Sequence, residues 1–476
     1  MKTNLTRRKF LKLIGTTAAG TFLLPGTGLS KILPAPRDPE VESLLADLYT
    51  GLNLYWGDVH GHTGYSDGYG FPSECYEQAK YARGLDFTAV TDHAEFISHF
   101  ARNIKMNDGS PLLLWNMSIE EANQYNAPGE FVTLIGYEWT SNAYGHRCVY
   151  FRDDQNIPQI PISTLTHKTP AELWSALESY SCFTVPHHCI RPDRFVDWSY
   201  THDMERLVEI YSKWGNCESW NTTYEEYLYY QRFPTAKLLA RGHDVASALM
   251  SGIQLGMIGG TDSHQGLTGS TAWDEARGTS IYGDVDFLTT LSGEEFLDWL
   301  AAGNTFDHRE PRPSGGGLCG VWTDELHREK IWNGMYARRT LATSGIRPFI
   351  RFAVIDDSSQ NYALMGGDMV VGEGSPKLLL HVIADPDSGI ENIEIRRNMA
   401  PISCFSCYRA AEVSGALLDV NALPGNRYFY SLKICFSQNT NTDGDHIIDL
   451  NADPPYTDDP QLIEVAWPSP IWVTRT

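Results

Sequence analysis

The stretch that decides the fold is Trp56-Gly57-Asp58-Val59-His60-Gly61-His62, running on into Thr63-Gly64-Tyr65-Ser66-Asp67-Gly68. In an extended segment, side chains two residues apart point to the same face. His60 and His62 can therefore grip one cation from a strand end. Asp67 can swing in from the following loop as a hard oxygen ligand. The pattern is echoed downstream by Thr91-Asp92-His93, Tyr137-Glu138, His187-His188 and Thr261-Asp262-Ser263-His264. Each echo ends an apolar run. Residues 85–91 deliver Asp92 and His93, 131–136 deliver Glu138, 182–185 deliver the His pair, and 255–260 deliver Asp262 and His264; 206–211 is a further run. Ahead of the first of these runs, residues 72–84 read as a helix, with proline in its first turn and glycine past its end. Strand, polar loop and helix in repetition predict an α/β protein of the βα-barrel type. Its site would lie where the C-terminal strand ends meet.

The texture then changes. Glu310-Pro311-Arg312-Pro313-Ser314-Gly315-Gly316-Gly317 reads as a flexible loop, and residues 322–340 as helical. Past Gly345, residues 349–355, 377–384, 390–395, 427–434 and 471–473 read as strands separated by turns, a C-terminal β-sandwich. Residues 25–50 read as a proline-bearing lead-in.

With 476 residues, 42% of them hydrophobic, the chain has ample material for two or three domains. Its net charge of -22 argues against nucleic acid as partner, since a binder needs a basic footprint to release counterions. At the N-terminus, Thr6-Arg7-Arg8-Lys9-Phe10-Leu11-Lys12 matches the twin-arginine export pattern, followed by a short apolar stretch over residues 13–24. That stretch is too short for a comfortable membrane span. The expected location is periplasmic or otherwise extracytoplasmic, reached through the twin-arginine export machinery, with no stable membrane span in the mature protein. Nine cysteines lack paired zinc-ribbon spacing. Cys404-Phe405-Ser406-Cys407 is a local disulfide or two unrelated thiols, and Cys189 a buried bystander or a soft ligand. Asn439-Thr440-Asn441-Thr442-Asp443-Gly444-Asp445 resembles the front of a calcium loop, without the closing glutamate.

The ordered set over residues 52–275 resembles the PHP (polymerase and histidinol phosphatase) superfamily. Gly84-Leu85-Asp86-Phe87, Gly136-Tyr137-Glu138-Trp139-Thr140, Arg338-Arg339-Thr340-Leu341-Ala342-Thr343-Ser344-Gly345 and Ala466-Trp467-Pro468-Ser469-Pro470-Ile471-Trp472-Val473 resemble an exported branch of it. The resemblance implies a distorted (βα)7 PHP-type barrel over 50–345, a β-sandwich over 346–476, and a signal and lead-in over 1–36. It implies two or three divalent metal ions (Zn, Mn or Fe). His60, His62, Glu138 and Asp262 would hold one. Glu138 would bridge to a second, held by His146 and one of His187 and His188. Asp67, His93 and His264 would hold the third. Asp92 would orient a neighbouring histidine. Arg191 and Arg194, just past the His pair, would overhang the site and meet substrate, with Arg147 and Arg347 as further cationic candidates. The activity implied is hydrolysis of a small anionic phosphoester by metal-bound hydroxide. The alternatives are hydrolysis of C–N or C–O bonds, and a non-catalytic protein whose β domain grips glycan.

Overall fold

Apolar runs of four to eight residues become strands buried on both faces, as continuous rather than alternating hydrophobicity requires. The computed structural model describes residues 37–191, 194–219, 241–270, 290–304, 316–359, 361–386, 388–437 and 463–476. The twin-arginine segment, residues 439–445 and most of the glycine-rich loop at 310–317 lie outside them.

Strands β1 (Asn53–Asp58), β2 (Phe87–Val90) and β3 (Val132–Trp139) run parallel. β4 (Arg147–Phe151) lies antiparallel between β3 and β5 (Cys182–Pro186). β6 (Leu207–Ser212) carries the short hairpin strand β7 (Gly215–Asn216) and pairs in parallel with β8 (Gly256–Gly259). β9 (Leu318–Thr323) lies antiparallel beside β1, and β10 (Thr340–Thr343) beside β9.

The architecture is mixed α/β, but among the described residues no sheet closes into the expected barrel. β1 to β5 belong to a thirteen-stranded sheet, whereas β6 to β8 form a separate three-stranded one. Single bridges, Thr184–Glu205 and Gly61–Ser263, join the two. The reason is competition for the edge. β9 pairs with β1 on one side and β10 on the other, so the sheet runs on into the C-terminal strands instead of turning back to β8. β8 meets β9 and β10 by close packing instead. A Cβ on Gly259 would come within 2.7 Å of the Leu318 carbonyl oxygen and 2.8 Å of the Thr343 carbonyl oxygen.

The C-terminal strands fall in two sheets. β11 (Phe349–Asp356), β12 (Tyr362–Leu364), β14 (Pro376–Ile383) and β17 (Glu412–Leu418) form one of four strands, whereas β13 (Asp368–Val371), β15 (Gly389–Arg397), β16 (Ala400–Ala410), β18 (Asn426–Ser437), β19 (Ile463–Pro468) and β20 (Ile471–Arg475) extend the large one. Phe352, Leu378 and Leu380 from the first share a core with Ile393, Ile434 and Val473 from the second.

Local readings differ in three places. The lead-in contains a helix, Pro39–Leu48, capped by the Asp38 carboxylate and burying Val41, Leu44, Leu45 and Leu48. Residues 322–340 are strand, helix (Arg328–Tyr336) and strand, not one helix. β4 follows a turn and breaks the βα rhythm, so its five residues carry no periodic signal. Cys404 and Cys407 do not form a disulfide; Cys404 is exposed and Cys407 buried on β16, because residues three apart face opposite sides of a strand. No helix among the described residues is long and apolar enough to cross a membrane.

Candidate metal centre

Apart from His146, which precedes the antiparallel β4, the donor-bearing segments lie at the C-terminal ends of parallel strands, and backbone hydrogen bonds lace them together. The His62 amide donates to the Ser263 carbonyl at 2.8 Å, Asp262 to His60 at 2.9 Å, Thr91 to Gly61 at 2.9 Å and Glu138 to Asp92 at 3.1 Å. Asp58 clamps the crossing. Its carboxylate accepts from the Thr261 amide (2.9 Å), the Thr261 hydroxyl (2.6 Å) and the Gly269 amide (2.7 Å). Two ligand candidates sit in the left-handed backbone region, His188 at φ 36° and Asp262 at φ 51°. Such strain persists only where surrounding structure imposes it, and it clusters at functional sites.

Glu138 is the hub. Its Oε1 lies 2.6 Å from His146 Nδ1 and 3.3 Å from His93 Nδ1, and its Oε2 lies 3.2 Å from His60 Nε2, 3.2 Å from His62 Nε2 and 3.4 Å from His187 Nε2. Asp262 Oδ1 lies 3.3 Å from His62 Nε2. Asp67 Oδ1 lies 3.3 Å from His93 Nε2 and 3.4 Å from His264 Nε2. The donors form overlapping groups: His60, His62 and Asp262; His62, Asp67, His93 and His264; His146, His187 and His188; His60, Glu138, Cys148 and His187. Within each group the donor atoms lie within 4.8 Å of one another.

Several of these atoms are buried without a hydrogen-bond partner among the described residues: His62 Nε2, His146 Nε2, both ring nitrogens of His187, His188 Nδ1 and Asp262 Oδ1. Burying polar atoms unsatisfied costs on the order of 1–3 kcal/mol each, so so many in one place imply a missing partner. The carboxylates and two of the imidazoles hold the charge states that a cation requires, whereas at His60, His62 and His93 burial is outweighed by the neighbouring acidic groups, which raise the imidazole. Burial alone would raise Glu138, but His93, His187 and His146 outweigh it and hold the carboxyl well below its usual range. Burial likewise opposes, and His60, His62 and His264 outweigh it, at Asp262. Burial pushes His146 down to about 4, and burial with Lys213 beside it pushes His264 down to about 4. Ionised carboxylates and neutral imidazoles are the forms that ligate metal. The residues present therefore fit more than one divalent ion, and metal-dependent hydrolysis is the chemistry such a set supports.

The mouth is a cavity of about 40 Å³ whose lining combines the donors His62, Asp67, His93, Glu138, His146, His187, His188, Asp262 and His264 with Arg191, Arg194 and Trp214. Both histidines of the 187/188 pair line it. Asp92 does not. Its carboxylate accepts from the Thr63 amide (2.8 Å), the Thr63 hydroxyl (2.6 Å) and Ser66 Oγ (2.5 Å), holding the loop that carries His62. Arg147 and Arg347 are elsewhere. Arg147 alternates with His146 and Cys148 on β4, so it faces away, fully buried, with Nε 2.7 Å from Glu205. Arg347 donates to the Arg83 carbonyl at 2.6 Å. Cys189 packs in a core cluster with Cys217.

Three neighbours escape a sequence reading. Glu209, in mid-strand on β6, sets its Oε2 2.8 Å from His60 Nδ1. That orients the ring as carboxylates orient metal-bound histidines. Gly260 makes room, since a Cβ there would lie 2.4 Å from Glu209 Oε2 and 2.9 Å from His60 Cβ. Cys148 groups with His60, Glu138 and His187, and Lys213 Nζ is 2.9 Å from His264 Nδ1. Burial of Glu209 in an apolar run was the one available signal.

A family model described as "Protein of unknown function (DUF3604)" matches residues 105–189 and 211–395, more than half of the chain. The chain belongs to the DUF3604 family. The match spans Glu138, His146, the His pair, Asp262 and His264, so this DUF3604 site lies largely inside the family's shared region. No curated protein matches in sequence. Among solved structures, a two-domain protein from Bacteroides vulgatus, described as containing a predicted PHP-like metal-dependent phosphoesterase, is 13% identical. The likeness covers 82% of this chain and 92% of that one, with a TM-score of 0.37. PsfC from Pseudomonas syringae is 15% identical, over 52% of this chain and 96% of its own, with a TM-score of 0.28. Both are loose likenesses of chain path.

Proposed function

We propose that this DUF3604 protein is an exported, PHP-type phosphoesterase acting on a small anionic phosphoester. One observation carries the reading: two arginines line the same cavity as buried metal-donor atoms that lack hydrogen-bond partners among the described residues. His60, His62 and Asp262, the His62–Asp67–His93–His264 group, and His146 with His187 and His188 would hold the ions. Divalent metal there would supply a water acidified to near neutral pH and positive charge opposite the phosphoryl oxygens.

The chain's own residues do the rest. Arg191 and Arg194 bind the substrate's anionic oxygens, for which the guanidinium fork is well shaped. Arg191 Cζ lies 4.3 Å from the Trp214 ring centroid, so the indole face fixes the guanidinium plane. A cavity of about 40 Å³ holds a few water-sized groups, so the reacting phosphoryl enters and the remainder of the substrate stays outside. The two cations favour a phosphoester over a neutral amide or ester. The twin-arginine motif at Arg7 and Arg8 supports export of the folded protein.

Metal analysis of the purified chain, coupled to a screen of phosphomonoesters and phosphodiesters beside amides and carboxylic esters, tests the reading. Stoichiometric metal with phosphate release is expected. Amide or ester turnover alone would transfer the site to C–N or C–O hydrolysis, and metal-free protein that binds glycan would end the enzymatic reading. Export is tested by replacing Arg7 and Arg8 with lysine, which should leave the protein in the cytoplasm.

A further inference from the structure

We propose that Cys148 is a sulfur ligand to the deepest metal position, making the centre a two-tier one with a closed thiolate-bearing floor and an oxygen-rich mouth. The inference rests on the metal-dependent reading above and adds a donor to it. Strand geometry puts Cys148 there. His146, immediately before β4, and Cys148, its second residue, are two residues apart, repeating the spacing of His60 and His62. Across the sheet, Cys148 is paired in register with Glu138, so thiol and carboxylate stand side by side. The Cys148 Sγ and donor atoms of His60, Glu138 and His187 all lie within 4.8 Å of one another, and all four residues are buried. Because His60 Nδ1 is hydrogen-bonded to Glu209, its Nε2 serves this floor position, leaving His62 and Asp262 to the neighbouring one; two imidazoles, a carboxylate and a thiol are a four-donor set of the kind that zinc takes.

A second observation points to a cation at this spot. His187 is 1% exposed, and among the described residues neither of its ring nitrogens has a hydrogen-bond partner, the Glu138 carboxylate standing 3.4 Å from Nε2. An imidazole that merely filled the floor would be expected to engage at least one of them. On binding, the thiol loses its proton to solvent and coordinates as thiolate.

The two tiers then differ in chemistry. At the mouth, the Asp67 side chain is 25% exposed and His93 13%, whereas His60 and Glu138 below are at 0% and 1%. The floor position, enclosed and soft, selects Zn or Fe over Mg or Mn. Exchange with solvent and substrate belongs to the mouth, under Arg191 and Arg194.

X-ray absorption at the zinc edge of the full-length, zinc-reconstituted protein tests this, beside cobalt reconstitution read by near-ultraviolet sulfur-to-metal charge transfer. The expected result is one sulfur at about 2.3 Å in the wild-type protein. It should be lost in Cys148→Ser and Cys148→Ala and kept in Cys189→Ser, with circular dichroism checking that each variant folds. Metal bound by nitrogen and oxygen alone overturns the inference and leaves the hydrolase reading standing. A sulfur signal that survives Cys148→Ser or follows Cys189 also overturns it. Failure of the wild-type protein to hold any metal overturns both.

Discussion

Two clusters of imidazole and carboxylate among the described residues differ in what neutralises the carboxylates. At Glu42, His381 and Glu412, where the N-terminal helix meets the four-stranded sheet, a protein cation already does so. Arg37 reaches Glu42 at 3.0 and 2.9 Å and Glu412 at 2.8 Å, Ser414 donates to Glu42 at 2.7 Å, and His381 Nε2 lies 2.9 Å from Glu412. At the strand ends, among the described residues, Glu138 meets five imidazoles, those of His60, His62, His93, His146 and His187, and no arginine or lysine. The residue types are the same. A carboxylate–imidazole cluster becomes a candidate metal site when its donors outnumber the partners that the fold supplies.

The largest expected effect is at the first of those histidines. His60→Ala with His62→Ala should strip at least one metal. Hydrolysis should fall by more than the roughly 100-fold typical of losing a residue that only orients a ligand. Far-ultraviolet circular dichroism should stay unchanged, since both side chains lie outside the apolar core clusters. Full metal content in the double variant would erase the contrast between the two clusters.

Arg191→Ala and Arg194→Ala should leave metal stoichiometry untouched, because arginine stays protonated and cannot ligate. A fall of about 100-fold in kcat/KM is expected if each meets charge that grows in the transition state. A rise in KM alone would make them anchors. Wild-type kinetics in both would remove the anion-binding role.

Glu209→Gln sharpens the comparison by leaving every proposed ligand in place. Metal affinity, measured by chelator competition, should drop about 10- to 100-fold while the fold is kept. Unchanged affinity would reduce Glu209 to a buried partner of His60 without influence on the ion.

The smallest effect belongs to the second cluster. Glu42→Gln should change no metal content and cost less than about 1 kcal/mol by thermal or urea unfolding, because its Arg37 partner is half exposed and solvent screens the pair. The hydrogen-bonded Arg37 beside it holds the Glu42 carboxyl below its ordinary value. That small stabilisation is therefore present above the ordinary carboxylate range and lost as pH falls through the lowered one. Metal release on Glu42→Gln would show that the outer cluster also holds an ion.

Legibility in the sequence followed the range of each interaction. His60 with His62, and Asp262 with His264, were readable because ligand spacing within one extended segment is a local property. Strands such as 131–136 and 182–185 were readable because unbroken apolar runs must be buried. Arg147 is not legible in the sequence because nothing local marks β4 as a strand, and strand alternation is what turns it away from His146. Glu209 looked like one more residue of an apolar run, since nothing local says which way β6 faces.

By itself, the sequence determined the donor types, their order and their places at the ends of buried runs, because side-chain period and hydrophobicity act over a few residues. Only the tertiary structure decided which donors converge and how the sheet ends. Glu138 becomes the hub through pairings with residues up to 78 positions away. Cys148 joins it through a cross-strand register, and the ring stays open because β9 and β10 carry β1's sheet into the C-terminal strands. Each of these outcomes is a competition between distant segments for one hydrogen-bonding edge or one buried space, settled only when the whole chain packs.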